Sequence, residues 1–107
     1  MFQLQEELFI WWPVTISVPI DGGKVSAHEI DVQFELVEED EYKAAAQVSD
    51  LAVLELIVKD WKGIKTPDNK DLAFSLENLA ALAKKPYVRR ALIMTYLQAE
   101  QGAPIKN

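Results

Sequence analysis

The segment "WWPVTISVPIDGGKVSAHEIDVQFEL", Trp11 to Leu36, alternates apolar and polar residues with a period of two. Val14, Ile16, Val18 and Ile20 are apolar, and Thr15 and Ser17 between them are polar, the pattern of a strand with one buried face. Pro13 and Pro19 lack the N–H that a central ladder needs, so this strand belongs at a sheet edge or begins and ends at the prolines. "DGGK", Asp21 to Lys24, supplies two glycines for a tight hairpin, because positive φ costs glycine little. The return strand places Ile30, Val32, Phe34 and Leu36 against Glu29, Asp31, Gln33 and Glu35. Val25 and Ala27 occupy the other phase, which predicts a bulge near His28 or a ladder that starts only after it.

Downstream, the period changes. "EEDEYKAAAQ", Glu38 to Gln47, crowds acids where the positive end of a helix favours them and follows with good helix formers. Ser49 is an N-cap for a second helix through "DLAVLELIVKDW", with Leu51, Leu54, Val58 and Trp61 on one face. Val53, Leu56 and Ile57 are apolar as well, so this helix calls for burial on more than one side, which a second copy of the protein would supply. Gly63 suits the left-handed position that stops a helix. "SLENLAALAKK" reads as a short helix capped by Ser75, with Leu76, Leu79 and Leu82 inward. Pro86 opens a final helix that carries Val88, Leu92, Thr95 and Ala99 on one face and ends at Gly102. The expectation is a single α+β domain over 1–107: an N-terminal antiparallel β-hairpin unit (13–36), three to four α-helices (38–102), and a flexible tail (103–107).

Composition narrows the function classes. The chain has 107 residues, 50% of them hydrophobic and 26% charged, which is ordinary for a globular protein. With no cysteine, neither a disulfide framework nor a thiolate metal site is available. The opening "MFQLQEEL" is acidic where a secretory leader is basic, and "LFIWWPV" is too short to cross a bilayer. These features point to the cytoplasm and away from a membrane. Net charge is −6, unevenly spread: residues 1–55 hold 2 basic against 12 acidic side chains (−10), and residues 56–107 hold 9 against 5 (+4). Such a division favours head-to-tail self-association or a charged partner.

Chemistry is hard to find. "DWKGIKTPDNKDLAFSLENL", Asp60 to Leu79, resembles a calcium loop in composition only. From Asp68 the third, sixth and twelfth positions are Lys70, Ala73 and Leu79, and from Asp60 the third is Lys62, so the ligand pattern fails. "TPDN" reads instead as a turn with Asn69 left-handed and Ile64, Leu72 and Phe74 as anchors. One histidine, His28, without cysteine gives no zinc site. There is no G-x-S-x-G elbow, no P-loop and no dinucleotide fingerprint. The 17 acids permit many carboxylate pairs, but no pair stands out in a setting that would split two pKa values. The chain is therefore expected to be neither an enzyme nor a cofactor protein. Lys84, Lys85, Arg89 and Arg90, with Tyr87 beside them, form the main basic cluster. At a sequence pI of about 4.7 it suits an acidic protein surface better than nucleic acid. Trp11 and Trp12, adjacent on a strand, point to opposite sides, so one of them is left for an interface or a covering helix.

Taken in order, "WWPVTISVPIDGGK", "VQFELVEEDE", "VKDWKGI" and "LAFSLENLAALAKKPYVRRALIMTYLQAEQGAPIKN" resemble the tail assembly chaperones of long-tailed bacteriophages and their prophages, over nearly the whole chain. Members of that family often carry glycine where this chain has Asn69. The resemblance implies a non-enzymatic protein of the bacterial host cytoplasm. It would bind the tape measure protein and keep it soluble while tail tube protein polymerises, self-associate weakly, and be absent from the mature virion. An alternative in the same setting is a structural minor tail or connector component. The apolar set expected to be shared between core and interface is Leu54, Ile57, Trp61, Phe74, Tyr87 and Tyr96, together with Trp11 and Trp12. Arg89 and Arg90 are expected as peripheral charge contacts.

Overall fold

The computed structural model describes residues 1–105. Lys106 and Asn107, the end of the tail read as flexible, lie outside the described residues. Strands β1 (Phe9–Ile20), β2 (Lys24–Glu35) and β3 (Val58–Lys62) form one antiparallel sheet in the order β1-β2-β3. Helices α1 (Glu39–Val48), α2 (Asp50–Ile57), α3 (Leu76–Ala83) and α4 (Pro86–Glu100) complete an α+β fold. Helix α4 packs along β1, and α2 packs on β2 and β3. Val14, Ile16, Ile30, Val32 and Phe34 project from the sheet into a core shared with Val53, Leu54, Ile57, Leu79, Val88 and Leu92.

The hairpin runs longer than the sequence suggests. Pairing continues unbroken from Phe9↔Glu35 to Ile20↔Lys24, through Ile16↔His28, so there is no bulge at His28. Val25 and Ala27 change phase because they lie on the outer face, in a part of the hairpin that extends past the helices and has little core to supply. The irregularity falls instead between Gln33 and Phe34, opposite β3, where Lys59 is the extra residue. The turn holds Gly22 and Gly23 at φ 82° and 72°. With a projecting hairpin and exposed, irregular residues 1–8, the long axis is 46 Å and the radius of gyration 14.5 Å, above the roughly 13 Å of a compact chain this size.

Backbone parity explains the prolines. The Leu36 N–H donates to the Leu8 carbonyl at 2.9 Å, which makes 8 and 36 a hydrogen-bonded pair. Because hydrogen-bonded and non-bonded pairs alternate, even-numbered residues of β1 turn their N–H and C=O toward β2 and odd-numbered ones turn theirs to the free edge. Pro13 and Pro19 are odd, so their missing donors face away from the sheet and cost the ladder nothing.

The helix read from Ser49 through Trp61 ends at Ile57, and Val58–Lys62 is a strand. Val58 and Trp61, three residues apart, fit one face of a helix, but the extra residue Lys59 also brings both to the core side of a strand, and here pairing with the open side of β2 prevails. Gly63, at φ 93°, ends that strand rather than a helix. Ser49 and Ser75 are N-caps as the sequence suggests, their Oγ atoms accepting from Ala52 and Asn78 at 3.0 Å. Pro86 opens α4. Leu79 and Ala83 are buried in α3 and Leu82 packs half-buried against the core, whereas Leu76, the first residue of the helix, is exposed. On α4 the buried face is Val88, Leu92, Tyr96 and Ala99, with Thr95 at its margin.

Leu54 has no exposed surface. Leu54→Ala is expected to destabilise the fold by about 3 kcal/mol, within the range for a buried leucine truncation. Urea denaturation should show the loss as a lower midpoint at unchanged slope.

Candidate functional site

Trp61 holds the loop that follows β3. Its indole N–H donates to the Leu72 carbonyl at 2.7 Å, and Phe74 meets its ring edge-on with centroids 4.9 Å apart. Within the loop, the Lys70 carbonyl accepts from Thr66 N–H at 2.8 Å, the Thr66 hydroxyl donates to Asp68, and Asn69 adopts φ 63°. The left-handed turn expected at Asn69 is thus present. Among the described residues no group of three or more acids or histidines is placed to hold a metal ion.

The residues expected to be shared between core and interface divide cleanly. Leu54, Ile57, Trp61 and Tyr96 are buried in the core and offer almost no surface to a partner. Phe74 and Tyr87 are half-buried against the core. Trp12 also leans on the core, whereas Trp11 points to the opposite, helix-free face of the sheet at 40% exposure. There the Lys62 ammonium lies 4.4 Å from the centre of the Trp11 ring, close enough for a cation–π contact. Phe9 is exposed on the same face.

The two arginines have different roles. Arg89 Nη1 donates to the Ala83 carbonyl at 2.8 Å, and its Nε lies 3.3 Å from an Asp50 carboxylate oxygen. It ties the start of α4 to the end of α3 and the start of α2. Arg90 is exposed and borders two shallow hollows on α4.

A groove between α1 and α4 escaped the sequence reading. It encloses about 470 Å³, with Val37, Tyr42, Tyr96 and Leu97 as its apolar lining and Glu39, Lys43 and Glu100 as charged members. Helix α1 has no buried residue. It is held mainly by α2 and by Tyr42, whose ring stacks on Tyr96 at 5.7 Å with the planes 2° apart. Tyr96 also meets Phe34 edge-on at 5.6 Å, and its hydroxyl oxygen accepts from Val37 N–H at 3.1 Å. The one available signal was Tyr42, the single aromatic in a helix otherwise made of alanine, valine and polar residues.

Burial, followed by the nearby Asp50 and Glu100 carboxylates, raises the Tyr42 phenol above its ordinary value. The Tyr96 phenol is raised chiefly by burial, against the opposing hydrogen bond from Val37. In comparisons with known proteins, no family model matches the chain, and no curated protein or solved structure matches it significantly.

Unfolded tyrosine ionises near pH 10, and the folded chain keeps both protons to higher pH. Their contribution to stability is therefore complete below about pH 10 and is lost as pH rises through the raised values. Denaturant titrations at alkaline pH should show stability falling above that point, and falling less steeply in Tyr96→Phe. At neutral pH the same variant leaves Val37 N–H without its acceptor and should cost about 1–2 kcal/mol.

Proposed function

We propose that this chain is a tail assembly chaperone of a long-tailed bacteriophage or prophage. It acts in the bacterial host cytoplasm by covering apolar segments of the tape measure protein, and it makes or breaks no covalent bond. The observation that carries this reading is the open apolar groove whose α1 wall contains no buried residue. A helical client exposes an apolar stripe that must be covered reversibly, and a groove with a loosely held wall suits that task better than a deep pocket. Each such contact is weak, but many copies along one client gain by avidity. Exposed Phe9 and Trp11 on the helix-free face add further apolar surface. The co-linear resemblance from "WWPVTISVPIDGGK" to "AEQGAPIKN" supplies the particular client and setting.

The test is co-expression with the tape measure protein of the same genome. The client should become soluble and co-purify with this chain, while Leu97→Glu, placed in the groove lining, should remain folded by circular dichroism and lose the client. A client equally insoluble with and without the chain rejects the proposal. Abundant copies of the chain in purified tails, counted by mass spectrometry, would favour a structural tail component instead.

A further inference from the structure

A second groove, of about 330 Å³, lies between the free edge of β1 and α4. Thr15 and Ser17 form its strand side, and Arg90, Ala91, Met94 and Gln98 line its helix side. By the parity established above, Thr15 and Ser17 each direct one N–H and one C=O outward. Among the described residues none of these four groups has a backbone partner. Pro13 and Pro19 bracket them, so any added strand is confined to a short register. An edge strand facing a helix wall is the geometry by which an extended peptide adds to a sheet.

The same chain carries an exposed N-terminal segment, outside any strand or helix and bent at Glu6, with nothing to cover it. Phe2 and Leu4 are 86% and 83% exposed, alternate with Gln3 and Gln5, and precede Glu6 and Glu7. We propose that the β1–α4 groove of one copy takes the Phe2–Leu8 segment of a second copy as an added strand. Charge selects the direction. Gln98 shares a hollow with Trp12, so Arg90 lies at the Ser17 end of the groove. A segment running parallel to β1 sets Leu4 against Ala91 and Met94, brings Glu6 to Arg90 and turns Phe2 toward Trp12.

The segment cannot fill its own groove. Leu8 is fixed by its bond to Leu36, and the six residues back to Phe2 span at most roughly 20 Å. Thr15 and Ser17 lie farther than that along the same extended strand, roughly 23 and 30 Å from Leu8, before any length is spent on reversing direction. The contact joins two different surfaces, so it is heterologous: it forms a ring where the rotation between copies closes and a head-to-tail chain where it does not. This inference stands on the groove and the segment alone and does not depend on the tape measure client.

Sedimentation velocity over a concentration series of the full chain provides the test. Wild type should sediment as species larger than the monomer as concentration rises, and the double variant Phe2→Ser/Leu4→Ser should stay monomeric. Arg90→Glu should weaken association by about two- to fivefold, the range for an exposed ion pair, and adding Glu6→Lys should restore it. In the monomeric double variant, a peptide of residues 1–8 should shift the amide signals of Thr15 and Ser17. A wild-type chain that is monomeric at every concentration overturns the proposal. So does association unaltered by the double variant, or peptide-induced shifts confined to the α1–α4 groove.

Discussion

Strand β2 has to serve two neighbours and one core at once, and a single parity satisfies all three. Its even-numbered residues bond to β1 and send Ile30, Val32 and Phe34 toward the helices. Asp31 and Gln33, one step out of phase, meet β3 on the other edge. A slip of one residue would put Glu29, Asp31 and Glu35 into the core, so register is held by the cost of burying carboxylates as well as by the gain from burying Phe34. The bulge at Lys59 is where β3 adjusts to that requirement, and there Lys59 sits 3.4 Å from Glu35.

The same parity shapes the surfaces available to other proteins. Facing the helices, β2 presents Phe34 to Tyr96, and Tyr96 in turn holds Tyr42 and with it α1. That aromatic sequence links the most deeply buried part of the sheet to the least buried helix. On the outer face no helix packs, and Trp11 rests against Lys62. Along β1, prolines silence two outward positions and leave Thr15 and Ser17 open, next to the exposed side of α4. Among the described residues no buried side-chain nitrogen or oxygen lacks a partner. The outward backbone groups of Thr15 and Ser17 lie at the sheet edge, where a partner strand can reach them.

Local signals carried through to the structure where a residue's role depends on its immediate neighbours. The glycine pair at the turn, the caps Ser49 and Ser75, the opening Pro86 and the left-handed Asn69 all fall where the sequence places them. The signals that misled were those answered from far along the chain. Val58 to Trp61 reads as helix until β2 offers it an open edge, and Val25 and Ala27 read as a phase slip until the hairpin is seen to outrun the helices. Of the site residues, Trp11 and Arg90 are accessible, while Leu54, Ile57, Trp61 and Tyr96 are core. An apolar residue on a helix or strand carries no mark of whether its cover comes from its own chain or from another.

By itself the sequence determined an α+β domain built on an N-terminal hairpin, because alternation, turn chemistry and capping are written within a few residues of where they act. It also settled that cysteine chemistry is excluded. Only the tertiary structure decided that there is a third strand, which tryptophan faces outward, and that two open grooves flank α4. Those outcomes turn on which distant segments compete for the same edge or face, and that competition is resolved by packing rather than by local preference.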